Sequence, residues 1–301
     1  MSEMTKLNHC PLCNSEDIQQ YTAARDYMVS GLEFGIFKCK QCRVLFTSPV
    51  PHESQIGEYY KDESYISHSN TGKGLIARFY KIVRKRTMAE KYQLIRKHSN
   101  QQNGFILDVG AGTGSFVENM RRHGWQVLGL EPDEGARNVA LREFKLELRK
   151  SEELFEIPEG KADVITLWHV LEHVHNLGSY MQQFHKILKD DGLLVLAMPN
   201  NRSTDARIYG KYWAAWDVPR HIFHFNPDSV TWLAQNFGFK VSAILPMMYD
   251  AYYVSLLSEK YKGSGRLSYF KALYQGWRSN RNARKDVQKT SSLIYILKKS
   301  N

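Results

Sequence analysis

One stretch decides the fold of this 301-residue chain, and it reads Asp108-Val109-Gly110-Ala111-Gly112-Thr113-Gly114. The short apolar run Phe105–Val109 leads into it, and a helical pattern over residues 115–123 follows it. Glycines at such a strand-to-helix turn let the backbone bend tightly and approach a ligand without obstruction by Cβ atoms. The stretch therefore predicts a ligand-binding loop at the carboxyl end of a strand.

Strand and helix patterns alternate from this loop to the end of the chain. We predict helices over residues 115–123, 134–144, 177–188 and 228–237, and strands over residues 105–109, 125–130, 146–148, 163–167, 192–198, 239–245 and 292–297. Strands that alternate with helices of this length favour a doubly wound, largely parallel α/β sheet, here of seven strands.

An acidic residue follows the second predicted strand. It is Glu131, in Gly129-Leu130-Glu131-Pro132, at the spacing of roughly 20 residues that is typical of a ribose-binding acid. Such an acid accepts hydrogen bonds from the hydroxyls of a ribose. The alternative is a tight turn followed by a surface glutamate that binds nothing.

Together these motifs resemble those of the class I S-adenosylmethionine-dependent methyltransferases. The loop resembles their first motif and Glu131 their ribose-binding acid, while residues 171–174 and 188–200 resemble the branch of ubiquinone-biosynthesis O-methyltransferases. The resemblance implies a Rossmann-like sheet that binds S-adenosylmethionine, whose positive charge Asp108 would help to offset. We expect cofactor contacts from Asp108, Gly110, Ala111, Gly112, Gly114, Glu131, Pro132, Trp168 and His169.

The segment His169-Val170-Leu171-Glu172-His173 matches the H-x-x-E-H pattern of inverted zinc proteases. A protease is disfavoured because the segment directly follows a predicted strand and does not lie within a long helix. Resemblance to the ubiquinone branch implies a divalent-cation cluster of the form acid-x-x-Glu-His, but His169 replaces the first acid here. For Glu172 we favour the alternative, in which it caps a helix and orients the loop.

The connector over residues 201–225 follows the fifth predicted strand, at the sheet edge where open α/β sheets bind ligands. Aromatic walls exclude water from a substrate, and an arginine can hold a carboxylate or phosphate with two hydrogen bonds. We therefore expect Trp213, Trp216, Asp217 and Arg220 to contact an anionic acceptor. The alternative is that the aromatic residues only pack a lid. The W-D-x-P-R-H pattern resembles a bacterial methyltransferase group associated with polysaccharide and secondary-metabolite clusters.

Methyl transfer to a hydroxyl requires a base that works near neutral pH, and histidine suits this role. His221 is the first candidate and His173 the second.

All four cysteines, Cys10, Cys13, Cys39 and Cys42, lie in two C-x-x-C pairs near the N-terminus. Four thiolates in this arrangement are typical of a tetrahedral structural zinc site, whereas a redox pair needs only one C-x-x-C. We predict a zinc ribbon over residues 1–52, a connector and basic helix over residues 53–100, and the methyltransferase domain over residues 101–301.

Net charge is +10 and unevenly distributed. Residues 259–301 contain eleven Lys or Arg against two acids, which favours an anionic partner such as a membrane surface or a nucleic acid. Within the predicted basic insert, residues 259–289, one helical face carries Phe270, Leu273, Tyr274 and Trp277. We expect this face to pack on the core. The alternatives are contact with anionic lipid or cover for the acceptor pocket.

The function that these features favour is transfer of a methyl group from S-adenosylmethionine to a hydroxyl of a small molecule or glycan. Three alternatives remain: an RNA methyltransferase, a sugar C-methyltransferase, and a cofactor-binding scaffold without activity. A cytoplasmic location is expected because the sequence has no apolar run of ~18 residues and its start is polar.

Overall fold

A computed structural model describes residues 4–60, 75–99 and 101–300 of the chain. Part of the predicted connector, residues 61–74, lies outside the described residues. The strands are β1 (Met4–Thr5), β2 (Ile18–Arg25), β3 (Glu33–Cys39), β4 (Leu45–Ser48), β5 (Val50–Pro51), β6 (Phe105–Val109), β7 (Gln126–Leu130), β8 (Ala162–Trp168), β9 (Leu188–Pro199), β10 (Phe223–His224), β11 (Phe239–Met247) and β12 (Ser292–Lys299).

The helices alternate with these strands along the second half of the chain. They are α1 (Leu75–Ser99), α2 (Ser115–Arg122), α3 (Glu134–Phe144), α4 (Leu177–Ile187), α5 (Thr204–Tyr209), α6 (Pro227–Asn236), α7 (Asp250–Tyr261) and α8 (Ser268–Ala283). Side chains cap several of them: Asp133, for example, accepts a hydrogen bond from the backbone of Ala136 at the start of α3, as N-cap residues commonly do.

The largest sheet has the order β11-β12-β9-β8-β6-β7. Strands β7, β6, β8 and β9 are parallel, and β12 pairs antiparallel with both β9 and β11. Strands β6, β8, β9 and β12 bury residues on both faces, as expected when helices cover a sheet on both sides. The edge strands β7 and β11 are partly exposed. Ile106 packs in the core of one face and Leu107 in the core of the other. The predicted doubly wound α/β architecture is therefore confirmed.

The strand count is corrected from seven to six among the described residues. The predicted third strand, residues 146–148, forms no strand, and pairing there is limited to one bridge between Leu130 and Arg149. A 3₁₀ turn begins at Ser151, directly after this bridge, and turns the chain away from the sheet edge. The alternating Leu146 and Leu148 instead pack in a small cluster against helices α2 and α3.

The cysteine-rich segment forms a second sheet, with the order β10-β4-β3-β2. Its fourth strand, β10, comes from the connector over residues 201–225 and pairs antiparallel with β4. Cys10, Val44 and Phe46 share one continuous core with the strands of the large sheet. The N-terminal segment is thus joined to the rest of the chain by hydrogen bonds and by apolar packing.

Between β11 and β12 the chain inserts α7 and α8, so the insertion begins before the predicted residue 259. Helix α8 buries the small side chains of Ala272, Ser279 and Ala283. Phe270 is 73% exposed and Trp277 48%, so the expectation that the aromatic face packs on the core is wrong. The physical reason is that small residues allow closer contact between helices than aromatic ones do. None of the helices in the described residues is both long and apolar enough to cross a bilayer.

Candidate functional site

The glycine loop follows β6 and has three residues in the left-handed region. Gly110, Gly112 and Gly114 have φ angles of 73°, 53° and 75°, which residues with a Cβ rarely adopt. A Cβ at Gly110 would also collide with Val170, whereas a Cβ at Gly112 would meet no described atom within 4 Å. The loop therefore presses against the segment after β8 on one side and faces open space at Gly112.

Asp108 lies at the base of this loop and is 3% exposed. Its Oδ1 accepts a hydrogen bond of 2.6 Å from the hydroxyl of Thr166 on β8. Burial raises the pKa of Asp108 to about 7, although Thr166 and the ammonium of Lys91 act in the opposite direction. The carboxyl group therefore gains stabilisation if a cation binds beside it.

Lys91 of α1 reaches the same region, and its Nζ lies 4.0 Å from the ring centroid of Trp168. This is a cation–π contact. Burial lowers the pKa of Lys91 to about 8, against the attraction of Asp108 and Asp250. The ammonium is thus a second ionisable group at the carboxyl end of β8, and it is close enough to Asp108 to influence its charge.

Glu131 follows β7 and supports the glycine loop. Its Oε2 accepts a hydrogen bond of 2.7 Å from the backbone of Gly112, and its Oε1 accepts one of 3.0 Å from the backbone of Asp133. Each carboxylate oxygen has lone pairs for a second donor. The next residue, Pro132, directs its carbonyl to Arg137. Glu131 and the loop therefore lie side by side at the carboxyl edge of β6 and β7.

His169 connects the segment after β8 to the insertion. It has a φ of 59°, and its Nε2 lies 3.0 Å from Oδ2 of Asp250 at the start of α7. Burial alone would lower the pKa of His169, but Asp250 and Glu172 raise it to about 10. The ring is therefore cationic at neutral pH, and it links α7 to the candidate site.

Three side chains with atoms able to bind a metal ion meet beside the segment that follows β8. The ligand atoms of Glu172, His173 and His221 all lie within 4.8 Å of one another. Glu172 is 1% exposed, and neither carboxylate oxygen accepts a hydrogen bond from the described residues. Oε1 of Glu172 lies 3.4 Å from Nδ1 of His169, so an ion pair compensates part of its charge. A buried carboxylate without hydrogen bonds is costly, so the remaining capacity of Glu172 suits a bound cation or a polar ligand.

Backbone carbonyls favour one tautomer of both histidines. Nδ1 of His173 lies 3.0 Å from the carbonyl oxygen of Arg220, and Nδ1 of His221 lies 2.9 Å from that of Ala215. A carbonyl oxygen can only accept, so these contacts favour a proton on Nδ1, and in the neutral ring Nε2 then keeps its lone pair. Nδ1 of His173 also lies 2.9 Å from the hydroxyl oxygen of Tyr60. Burial and the neighbouring His221 lower the pKa of His173 to about 4. Both rings can therefore accept a proton or bind a metal ion through Nε2.

Comparison with known families identifies the domain that contains these residues. A profile of the methyltransferase domain family matches residues 80–244, more than half of the 301 residues. The chain belongs to the methyltransferase domain family. A ubiquinone biosynthesis O-methyltransferase of Rhodopseudomonas palustris is 29% identical over 157 residues, which are 47% of this chain and 60% of that protein. The chain spans about half to three-fifths of the length of the curated relatives it matches.

Solved structures agree with the methyltransferase fold. Magnesium protoporphyrin IX methyltransferase of Synechocystis, with bound SAH, has a TM-score of 0.54 at 12% identity, covering 83% of this chain and 100% of that one. Phosphoethanolamine N-methyltransferase 2 of Haemonchus contortus, in complex with S-adenosyl-L-methionine, also has 0.54, at 15% identity over 94% of this chain and 69% of that one. At these identities the likeness concerns the fold.

The predicted acceptor-binding residues, which lie within the matched range, adopt a different role. Trp213, Trp216, Asp217 and Arg220 border a space of only about 10 Å³, roughly enough for one water. Trp213 is 2% exposed and donates its indole N–H to Asp205, and the indole N–H of Trp216 goes to the carbonyl of Gly210. These side chains pack a core, so the expectation of an acceptor-binding wall is corrected.

Arg220 is engaged on every side. It is 1% exposed, binds both carboxylate oxygens of Asp217, lies 3.3 Å from Asp26 of the N-terminal sheet, and donates to the carbonyl of Tyr59. These partners leave the guanidinium no approach for an acceptor anion. Arg220 therefore joins the N-terminal sheet to the methyltransferase domain and does not form the predicted anion site.

The four cysteines converge as predicted. Sγ of Cys10 lies 3.5 Å from that of Cys42, and Sγ of Cys13 lies 3.5 Å from that of Cys39. All four sulfur atoms lie within 4.8 Å of one another. Zinc–sulfur bonds of roughly 2.3 Å place tetrahedral sulfur atoms about 3.8 Å apart. The cluster therefore fits one structural zinc ion.

Sequence patterns missed several residues that shape the site. Lys91 lies in the helix before β6, and Asp250 lies in the insertion far beyond the glycine loop. The folded chain brings them together through helices α1 and α7. Asp205 lies in the connector and accepts hydrogen bonds from Trp213, Ser279 and Ser291. An acid in a short helical turn gives no signal of such a role. Thr166, in contrast, could have been found as a polar residue within an apolar strand.

Proposed function

We propose that the protein transfers a methyl group from S-adenosylmethionine to a hydroxyl of a small molecule or glycan. The observation that carries the proposal is the meeting of the glycine loop, Asp108 and Glu131 at the carboxyl edge of β6 and β7. Open α/β sheets bind ligands at this edge. The ubiquinone biosynthesis O-methyltransferases among the relatives support a hydroxyl as the acceptor.

The residues at this edge fit the proposed cofactor by their chemistry. Glu131 offers carboxylate oxygens to the ribose hydroxyls beside the loop, and Gly112 leaves room for close approach. Asp108 offsets positive charge, and Lys91 is a partly buried cation that suits the carboxylate of the methionine moiety. S-adenosylmethionine, when bound, supplies an electrophilic methyl group on a sulfonium sulfur.

His221 is the proposed base, and His173 is its alternative. Nε2 of His221 would take the acceptor hydroxyl proton, and Oδ2 of Asp217 lies 3.8 Å away to stabilise the resulting imidazolium. With a pKa of about 4, His173 is neutral but only weakly basic near pH 7. The pair of rings, with centroids 4.5 Å apart, would also orient the hydroxyl.

The activity test uses methyl-labelled S-adenosylmethionine and an extract of the source cells, followed by separation of glycan, lipid and RNA fractions. We expect label in a small-molecule or glycan fraction, linked through oxygen. Label in RNA, or on carbon of a sugar, would replace the proposed acceptor with one of the alternatives. Release of no S-adenosylhomocysteine in any fraction would contradict the proposed activity as a whole.

A divalent cation is a second candidate ligand of the Glu172–His173–His221 cluster. The observation that favours it is the buried Glu172 carboxylate, which accepts no hydrogen bond from the described residues. Both histidines direct Nδ1 to backbone carbonyls, as metal-binding histidines commonly do. Such an ion would bind the acceptor hydroxyl and make its proton more acidic.

Titration with Mn²⁺ distinguishes binding of a divalent cation by the cluster from base catalysis by His221 alone. If the cluster holds a cation, the wild type binds Mn²⁺, Glu172→Gln weakens binding at least tenfold, and a chelator abolishes methyl transfer. If His221 acts alone as the base, activity survives the chelator, and His221→Gln lowers kcat by a factor on the order of 10²–10⁴. His52→Gln, an exposed histidine outside the site, is the matched control.

For the partner of the protein we propose an anionic membrane surface, contacted by the exposed face of α8. Phe270, Leu273, Tyr274 and Trp277 are all more than 45% exposed, and Arg281 lies 5.4 Å from the Trp277 ring centroid. Aromatic residues beside cations are typical of helices at lipid interfaces. Wild type should sediment with anionic vesicles at low salt, and Trp277→Ala should not. Equal sedimentation of the two, or retention on RNA instead, would contradict this.

A further inference from the structure

A second cavity lies between α5, α8 and the turn Val287–Lys289, and it has a volume of about 290 Å³. That is near the lower end of the ~300–1,000 Å³ typical of small-molecule sites. Its polar lining consists of Thr204, Arg207, Arg278, Asn282, Lys285 and Lys289. None of these residues belongs to the glycine loop or to the Glu172–His173–His221 cluster.

The charge of this cavity is one-sided. Four of its lining residues are cations, and none is an acid. Lys289 lies 3.4 Å from Asp286, whereas Arg207, Arg278 and Lys285 form no ion pair within the part of the chain that the structure describes. All four cationic residues are exposed, so salt screens their mutual repulsion, and an anion bound among them would relieve it further.

The cations come from two elements that face each other. Arg278, Asn282 and Lys285 follow one another at helical spacing along α8 and its C-terminal end, and Arg207 lies opposite on α5. Thr204 accepts a hydrogen bond from Asn282 and so keeps its own hydroxyl proton for a ligand. Two guanidinium groups, two ammonium groups and a hydroxyl together match the oxygen atoms of a phosphate.

Hydrogen bonds of Asp205 hold α5 and α8 at a fixed spacing on the side away from the cavity. The buried carboxylate of Asp205 on α5 accepts hydrogen bonds from Ser279 of α8 at 2.9 Å and from Ser291, next to β12, at 2.7 Å. Asp205 also accepts the indole N–H of Trp213 at 2.9 Å. The spacing between α5 and α8 is therefore fixed before a ligand arrives, which favours binding.

We infer that this cavity is a phosphate-binding site, separate from the methyl-transfer site, for a ligand carrying a phosphate or pyrophosphate group. The same chemistry is found in lipid headgroups and in soluble organophosphates. The exposed aromatic face of α8 adjoins the cavity, since Tyr274 of that face and Arg278 of the cavity lie four residues apart and therefore on the same side of the helix. A lipid phosphate could thus enter the cavity while the aromatic side chains contact the interface.

Calorimetric titration with inorganic pyrophosphate tests the site directly. We expect binding to the full chain and at least tenfold weaker binding to the double variant Arg278→Gln, Lys285→Gln. The matched control is Lys260→Gln, Lys271→Gln, which removes the same charge from exposed positions of α7 and α8 outside the cavity. This control should bind pyrophosphate within twofold of wild type.

Two further variants separate charge from folding. The exchange Arg278→Lys, Lys285→Arg keeps both charges and should retain most of the affinity. Each variant should bind S-adenosylmethionine as wild type does, because the cavity contains no residue of the proposed cofactor site. Failure of cofactor binding in the wild type would contradict the proposed function but would leave the phosphate site intact.

Flotation with vesicles identifies the source of the phosphate. The ligand is a lipid headgroup if wild type binds vesicles of phosphatidylglycerol but not of phosphatidylcholine, and if the cavity variant Arg278→Gln, Lys285→Gln no longer binds the phosphatidylglycerol vesicles. If pyrophosphate binds and vesicles do not distinguish the variants, the ligand is soluble. The inference is overturned if wild type binds neither probe, or if the cavity variant and its charge control weaken binding equally, since diffuse attraction then explains the result.

Discussion

At the scale of single residues, burial raises the pKa of Asp108 to about 7, so this carboxyl group changes its charge near neutral pH. Below pH 7 the group binds a proton and loses its attraction for a cation. Above pH 7 it is ionised and favours one. Binding of a cationic cofactor should therefore weaken as the pH falls, and the direction follows from the raised pKa.

The first prediction concerns this pH dependence. Between pH 7.5 and pH 6, the Kd of wild type for S-adenosylmethionine should rise, by at most roughly tenfold per pH unit for one proton. Asp108→Asn should bind more weakly at pH 7.5 and lose most of the pH dependence. Calorimetry at several pH values measures both effects. Asp191→Asn, at an exposed position, is the control, and an unchanged pH profile in Asp108→Asn would refute the assignment.

The second prediction concerns Arg220. Its removal leaves Asp26, 0% exposed, and Asp217, 16% exposed, without their cation. Loss of one partner of a buried ion pair typically costs about 3–5 kcal/mol. Arg220→Ala should lower the free energy of unfolding in urea by this amount. Arg142→Ala, which removes a surface pair with Glu143, should change it by less than about 1 kcal/mol.

A role of Arg220 in acceptor binding makes a different prediction. In that case Arg220→Ala would raise KM for the acceptor while stability stayed close to that of wild type. The structure instead predicts the loss of stability, because the guanidinium is already bound to two carboxylates and a carbonyl.

At the scale of elements, the contact between α7 and α8 depends on Gly276. A Cβ there would lie 2.6 Å from Cδ1 and 3.1 Å from the Cα of Tyr252 on α7. The backbone contact cannot be relieved by rotating a side chain, so the helices must separate. Overpacking of this kind costs about 1–3 kcal/mol, which exceeds the ~1 kcal/mol that alanine contributes to a helix.

The third prediction is therefore that Gly276→Ala destabilises the chain despite its better helix propensity. Thermal unfolding should show a lower Tm than wild type. Lys271→Ala lies on the exposed side of the same helix and should shift the free energy of unfolding by no more than about 0.5 kcal/mol. A higher Tm for Gly276→Ala would mean that α7 and α8 do not pack closely.

Sequence patterns predicted which helices, strands and loops form better than they predicted which neighbours each one packs against. The glycine loop, Glu131 and the cysteine pairs were found because each requires particular residues at a fixed spacing. Periodicity also located α8, but it could not tell which face the helix buries. Two alternatives competed there, an aromatic face and a face of small residues, and close packing against α7 selected the small one.

The connector over residues 201–225 shows the same limit. Two tryptophans and an arginine in a loop are compatible with a ligand site and with a packed core. The choice depended on Asp26 and Asp205, which bind Arg220 and Trp213 from distant parts of the fold. Because such long-range partners leave no local pattern, the sequence alone could not decide between the two roles.

At the scale of the whole molecule, the cysteine cluster supports more than its own sheet. Strand β4 pairs with β10, Arg220 binds Asp26, and Cys10 and Phe46 belong to the core of the large sheet. Loss of the zinc ion would leave four thiols in this shared core. The effect should therefore extend to the methyltransferase domain.

The fourth prediction follows from this shared core. Cys39→Ser, or treatment with a strong zinc chelator, should lower the Tm of the main unfolding transition and weaken binding of S-adenosylmethionine. Zinc content should be about one ion per chain in the wild type, as four sulfur ligands bind one ion. Added Zn²⁺ should restore the chelated wild type but not the variant. Zinc-free protein with unchanged Tm and unchanged cofactor affinity would show that the two sheets are independent.

The proposed activity requires that the glycine loop, Asp108 and Glu131 bind S-adenosylmethionine. Calorimetry of the wild type at pH 7.5 measures this binding, with NAD as the competing ligand of a doubly wound fold. We expect one S-adenosylmethionine per chain, no detectable binding of NAD, and at least tenfold weaker binding of S-adenosylmethionine to Glu131→Gln. Binding of NAD in place of S-adenosylmethionine, or wild-type affinity in Glu131→Gln, would contradict it.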